Sequence, residues 1–214
     1  LDPRTRGSIF HEIQFRYVRR CAEDGVSPSA SLDRLDAIWS ETVERYREEI
    51  APAIPAVYDR ACAQIRTDLR GWWRRRAASS DGFSPTHAEL AFGLGPGDPN
   101  ARDPASAPEP VRLDGRFPVR GSIDLVERNA DGAVRVTDYK TGRPPTDPPE
   151  WIGGGEALQP MIYAVAGEAL LGPPVYEGRL AYCTVKHAYR VDAVSTVDRA
   201  ALSQVVATID DHVR

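Results

Sequence analysis

Val134-Arg-Val-Thr-Asp138-Tyr139-Lys140-Thr-Gly142 decides how this chain is read. It starts as an alternating strand and stops at a Thr-Gly turn. Residues two apart on a strand face the same way, so Val134, Val136, Asp138 and Lys140 share a face. An acid and a base thus follow two apolar residues on one side. Burying a charge is costly unless something pairs with it. Two readings stand side by side: an exposed strand end with an Asp–Lys ion pair, or a metal-binding Asp with a catalytic Lys beside it.

Ten residues upstream, Gly121-Ser-Ile-Asp124-Leu-Val126 sets an Asp into a second apolar strand. Between the two, Asn129-Ala-Asp-Gly132 predicts a hairpin turn, with Gly132 free to take positive φ. The hairpin would bring Asp124 and Asp138 together. Two nearby carboxylates repel unless a cation or a shared proton sits between them. A divalent cation with hard oxygen ligands suits such a pair.

Gly121-Ser-Ile-Asp124, then Thr137-Asp138-Tyr139-Lys140-Thr-Gly142, then Gln159-Pro-Met-Ile-Tyr163, resembles the RecB-like (AddB-type) branch of the PD-(D/E)XK nucleases. Gly7-Ser-Ile-Phe-His11 matches the histidine that this branch carries on an N-terminal helix. Four motifs stand in the family's order. The resemblance implies a restriction-endonuclease-like α/β core, a mixed central sheet flanked by helices, preceded by an N-terminal helical segment. It implies Mg2+ or Mn2+ held by His11, Asp124, Asp138 and the backbone carbonyl of Tyr139. Asp124, Asp138 and Lys140 become the catalytic group, with Lys140 orienting water. Gln159, Tyr163 and Arg143 become substrate-positioning residues, and Glu89 a supporting or third carboxylate. The implied substrate is DNA, single-stranded or with duplex ends, and the implied partner a helicase domain or subunit in recombinational repair. The competing reading is an inactive nuclease fold that binds DNA or scaffolds. Read without the resemblance, His11 is a half-buried core histidine and Glu89 an exposed strand residue.

Composition narrows the classes further. A chain of 214 residues with 42% hydrophobic residues has ample material for a core. It is read as a single domain, helical over 1–80 and α/β over 81–214, and as a fragment of a longer chain. No apolar run approaches the roughly 20 residues that span a bilayer, and no signal peptide is visible. Three cysteines (Cys21, Cys62, Cys183) without a CxxC support neither a disulfide framework nor a zinc site, and the four-cysteine iron–sulfur pattern that some members of the resembled family carry is absent within this segment. A reducing, cytoplasmic setting follows, with the bacterial nucleoid as the place for a DNA enzyme. Net charge is −4, so nucleic-acid binding would depend on local rather than overall charge. Of 27 basic residues only Lys140 and Lys186 are lysines. A compact ammonium at 140 therefore stands out against the arginine habit of the chain.

The remaining elements follow from periodicity. Apolar stripes predict helices over 5–24, 31–50 (with Ser31 as N-cap) and about 56–78. The last of these ends in a run of Arg and Trp. That run suits either a solvated helix end or a stacking surface for single-stranded nucleic acid. Strands are expected over 86–94, 111–113, 117–126, 134–140, 176–185 and 189–195, with Arg116 and Arg120 placed on the second and third of these as possible phosphate contacts. A long mobile loop is expected over 95–110. A helix over 156–171 should bury Leu158, Ile162, Val165, Ala166 and Ala169. Pro160 forces that helix to begin near Ala157, since Pro is tolerated only in a first turn. A further helix should close the chain.

Overall fold

A computed structural model describes residues 1–27, 31–95, 103–146, 158–187, 189–194, 203–204 and 206–207. The chain divides into two compact units. One comprises Leu1–Asp81, Tyr139–Pro144 and Tyr182–Arg190; the other comprises Gly82–Asp138, Pro145–Ala181 and Val191–Arg214.

The first unit contains α1 (Pro3–Glu23), α2 (Leu32–Ile50) and α3 (Pro55–Ala78). The Asp2 carboxylate caps α1 by accepting from the Arg4 and Thr5 amides, and Ser31 caps α2 by accepting from Arg34 N–H at 3.2 Å. Ile9, Phe10, Ile13, Leu35, Ile65, Leu69 and Trp72 are buried at the predicted helical spacing. The Tyr17 and Trp72 rings meet edge to face at 6.0 Å, and Trp73 Nε1 donates to the Tyr17 hydroxyl at 2.9 Å. Arg66 and Arg70 both pair with Asp36. Of the two readings of the Arg/Trp run, the stacking surface is therefore not built here. Trp72 is in the core, Trp73 is tied to Tyr17, and two of the arginines are spent on one aspartate.

The second unit carries the sheet. Its strands are β1 (Ser84–Phe92), β2 (Val111–Leu113), β3 (Phe117–Val119), β4 (Gly121–Arg128), β5 (Val134–Lys140), β6 (Val175–Tyr182) and β7 (Arg190–Val194), with α4 (Gln159–Leu171) between β5 and β6. β1-β4-β5-β6-β7 form a five-stranded mixed sheet, and β2-β3 a separate ribbon. α4 lies in the connection between neighbouring β5 and β6, the crossover by which a helix joins strands of a mixed sheet. The mixed α/β architecture with N-terminal helices agrees with the expected restriction-endonuclease-like core.

β4 and β5 pair antiparallel about the expected turn. Gly132 has φ 85, and the Asn129 side chain accepts from the Ala133 amide at 2.8 Å. β5 is the central strand and is buried on both faces from Val134 to Tyr139. Its second face holds a buried ion pair, Arg135 to Glu127 at 2.7 Å.

Several expectations need correcting. The strand expected over 117–126 is two strands, broken at Arg120, and they belong to different sheets. Arg116 sits in the β2–β3 turn and Arg120 between β3 and β4, so neither lies on a strand. Gly93, at φ 68, lies so close to Arg120 that a side chain there would collide with it. The described part of the 95–110 loop is knitted to the edge of β1. Ala107 N–H donates to Ala91 O at 3.0 Å, and Asp103 accepts from the Ala88 amide. This strap covers an edge that would otherwise expose unpaired amides. α4 begins at Gln159, with Pro160 in its first turn, where the missing N–H costs nothing. Its buried residues are Pro160, Met161, Ala164, Ala166 and Gly167; of the predicted set Ala166 is buried, Leu158, Ile162 and Val165 are half-buried and Ala169 is exposed. Small residues on the buried side permit close approach. A Cβ on Gly167 would stand 3.2 Å from Val136 and 3.3 Å from Val175. Of the expected closing helix, residues 203–204 and 206–207 are described and are helical; the rest of it, the start expected at 156–157 and residues 147–155 lie outside the described residues.

Candidate active site

In the second unit the site grows out of strand register. Ala88 pairs with Leu125 and Leu90 with Ile123, which sets Glu89 opposite Asp124. Leu125 pairs with Thr137, and one step further Asp124 stands opposite Asp138. Directly opposed residues share a face of the sheet. Glu89, Asp124 and Asp138 thus form a row of carboxylates across β1, β4 and β5. Carboxylate oxygens of Glu89 and Asp124 lie within 4.8 Å of one another. Glu89 and Asp138 are buried at 9% and 4% exposure.

Neighbouring side chains orient this row. Ser122, on the Asp124 face of β4, donates to Glu89 Oε2 at 2.8 Å. Gln159 Nε2 donates to Asp138 Oδ1 at 2.7 Å and to the Tyr163 hydroxyl at 2.9 Å. Four residues apart on α4, Gln159 and Tyr163 fall on one helix face, as their spacing predicts. Gly121 makes room for them: a side chain there would meet the rings of Phe92 at 3.2 Å and Tyr163 at 3.4 Å. Burial pushes the Tyr163 phenol above its ordinary value, and the charges of Asp138, Asp124 and Glu89 push it further. Tyr163 thus registers the negative field of the row.

Glu89 is held in the left-handed region, at φ 53. Its carbonyl accepts from the Asp103 amide at 3.3 Å, so the loop strap stabilises the kink. Such backbone strain in a non-glycine residue costs about 1–3 kcal/mol and concentrates at functional sites. Nothing local in Ala88-Glu89-Leu90 announces it.

The first unit brings together His11, Tyr139 and Lys140. Nδ1 of His11, on α1, is closed off from solvent. Burial, with a smaller contribution from Lys140, pushes the imidazole down to about 4, so it is neutral at physiological pH. The Tyr139 ring packs edge to face on Trp72 at 6.1 Å. Cys183 N–H donates to the Lys140 carbonyl at 2.9 Å, and Arg6 reaches the Thr141 carbonyl at 3.5 Å. Arg6 also pairs with Asp68. Buried at 1% exposure, Asp68 accepts from the Val185 amide at 2.8 Å and from Gln64 at 3.3 Å. Sequence reasoning passed over Asp68, because its partners are distant in the chain. Arg143 is exposed and makes no ion pair among the described residues.

A hard divalent cation fits the carboxylate row on chemical grounds. The donors are oxygens, two of them are close enough to serve one ion, and their combined charge is felt at Tyr163. No helix among the described residues is long and apolar enough to cross a membrane. No curated protein matches the chain. The family model of the PD-(D/E)XK nuclease superfamily, whose members use divalent metals, matches residues 1–214. With that full-length match resting on a mixed sheet that carries an Asp124/Asp138-x-Lys140 arrangement, the chain belongs to the PD-(D/E)XK nuclease superfamily.

Proposed function

We propose that this chain is a RecB-like (AddB-type) deoxyribonuclease module that hydrolyses DNA phosphodiester bonds. It would act as an exonuclease on ends supplied by a helicase during recombinational repair. The observation that carries the reading is the carboxylate row of Glu89, Asp124 and Asp138, with Gln159 clamping Asp138. The order of His11, Asp124, Asp138-x-Lys140 and Gln159-x-x-x-Tyr163 supports the subfamily.

Asp124 and Asp138 hold Mg2+ or Mn2+ in this reading, with Glu89, the His11 imidazole and the Tyr139 carbonyl completing the ligand set. His11 is neutral and therefore able to donate a lone pair, and an imidazole ligand favours Mn2+ over Mg2+. An ion held by these residues would supply neutralisation of phosphate charge and a lowered pKa for bound water. Lys140 orients the attacking water and offsets the charge that builds on the pentavalent phosphorus. Gln159 fixes the Asp138 carboxylate through one amide hydrogen bond and the Tyr163 hydroxyl through another. Tyr163 remains a protonated phenol, able to donate to a phosphate oxygen. Arg143, exposed just after the motif, meets the strand.

The test is cleavage of end-labelled single-stranded DNA, duplex DNA and RNA with Mg2+, Mn2+ or EDTA. Asp138→Ala should abolish cutting, and Lys140→Ala should slow it by about 10²–10³-fold. A fully active Lys140→Ala protein would end this mechanism. Faster cutting of RNA would overturn the substrate. Absence of Mn2+ binding by calorimetry would favour an inactive, DNA-binding nuclease fold.

A further inference from the structure

A cleft of about 440 Å³ opens in the first unit, between α1, α3 and the segment that follows β6. Arg6, Arg60, Gln64, Thr184 and Lys186 contribute its polar wall. Arg60 and Lys186 are exposed and make no ion pair among the described residues. Lys186 is one of only two lysines in the chain. Thr184 is 3% exposed, and its buried hydroxyl has no hydrogen-bond partner among the described residues. A buried donor without a partner costs about 1–3 kcal/mol, so an acceptor entering the cleft would relieve it. Asp68, the nearby negative charge, is already covered by Arg6, Gln64 and the Val185 amide. Another groove of the unit is different: Arg16, Arg19, Arg20 and Arg34, which line it, each pair with an acid. The Thr184 cleft by contrast carries two cations, Arg60 and Lys186, that make no ion pair among the described residues.

Its position is set by the backbone. A Cβ on Gly71 would meet Val185 at 3.0 Å, so this glycine inside α3 lets the 184–186 segment approach closely. The residue before Thr184, Cys183, bonds the Lys140 carbonyl, and Arg6 bonds the carbonyl of Thr141. The cleft thus begins one residue from Lys140.

We propose that this cleft is a phosphate-binding subsite for the nucleic-acid strand, in which Arg60, Lys186 and the Thr184 hydroxyl grip a backbone phosphate next to the one that is cut. The inference deepens the proposed function and rests on its reading of the substrate as a nucleic-acid strand. Binding can be measured without cleavage, by fluorescence anisotropy of a labelled single-stranded oligonucleotide in EDTA over a range of salt concentrations. Each phosphate contact on a single strand contributes about 0.7 to the slope of log K against log salt. The Arg60→Ala/Lys186→Ala double variant should therefore lose about 1.4 from that slope. Thr184→Val should weaken binding a few-fold at every salt concentration with the slope unchanged. Arg128→Ala, an exposed arginine outside the cleft, serves as the charge control.

An unchanged slope in the double variant overturns the subsite, as does a loss of about 0.7, the same per charge removed, in Arg128→Ala. Inorganic phosphate distinguishes the two sources of the anion. Saturable displacement of the oligonucleotide by millimolar phosphate, beyond that of chloride at equal ionic strength and lost in the double variant, would make this a free-anion pocket and overturn the strand assignment. If the wild-type protein cuts DNA while the double variant keeps its slope, the subsite falls and the nuclease reading stands. If the slope drops but no metal supports cutting, the subsite stands and the nuclease reading falls.

Discussion

Polar residues gather in both units, by different means. In the second unit, Glu89, Asp124 and Asp138 are aligned by strand register, and a one-residue slip of β4 would turn Asp124 to the other face. In the first, Asp68 collects donors from Arg6 and Val185, which lie 62 and 117 positions away. A register row is specified by local pairing and one turn. The Asp68 junction exists only once two helices, α1 and α3, and the distant Val185 segment have come together. Errors in the first kind of site are all-or-none; errors in the second kind are graded.

The largest expected effect tests whether the two buried ion pairs are alike. Glu127→Ala strands Arg135, and Asp68→Ala strands Arg6 along with the Val185 amide. Each should cost about 3–5 kcal/mol in urea unfolding, the Asp68 change nearer the lower end because Arg6 is partly exposed. Replacing Arg135 and Glu127 together by Met and Leu should be nearly neutral. Any apolar replacement at Asp68 should stay costly, because a backbone donor depends on it. Equal tolerance at both places would erase the contrast.

Next comes a pH effect confined to the first unit. His11 is pushed from 6.5 to about 4, so the unfolded chain binds its proton more readily than the folded one. Its contribution to stability is full above pH 6.5 and is lost as pH falls towards 4. In EDTA, urea midpoints should drop across that window, and His11→Gln should flatten the drop. An identical profile in the variant would locate the acid sensitivity elsewhere.

Smaller effects concern the backbone. Glu89→Gly should raise stability by about 1 kcal/mol by relieving the left-handed conformation, while abolishing metal-dependent cutting. Thermal unfolding and the cleavage assay, taken together, read both signs. The counterpart in the first unit is Ala51, at φ 46 where α2 ends. Ala51→Gly should stabilise by about 0.5–1 kcal/mol with no loss of activity. A loss of activity there would mean that strain at Ala51 also serves the site.

Much of this was legible in the residues because it is local. Asn129 and Gly132 specify the hairpin, the hairpin specifies its register, and the apolar stripes specify α1 to α3. What could not be read is set by packing. A helical stripe gives a face but not the close approach that Gly167 allows between α4 and the side chains of Val136 and Val175. Phe117–Val126 reads as one strand because the break at Arg120 answers to the close approach of Gly93. The partners of Asp68 and the exposed state of Lys186 carry no local signature. At the site, the motif spacing pointed to Asp124 and Asp138. Ser122 bonding Glu89 could have been suspected only from the small polar residue two positions before Asp124 on the same face.

Between Leu1 and Arg214 the chain passes from one unit to the other five times, after Asp81, Asp138, Pro144, Ala181 and Arg190. No single stop codon or fusion point can therefore release either unit whole. A gene ending at Asp81 encodes three helices but omits Lys140, Thr184 and Lys186, which belong with them. Only Tyr139 separates the last carboxylate of the row, Asp138, from Lys140, yet Asp138 and Lys140 belong to different units. Exchanging the carboxylate row without Lys140 then takes two crossovers, one of them falling between Asp138 and Tyr139.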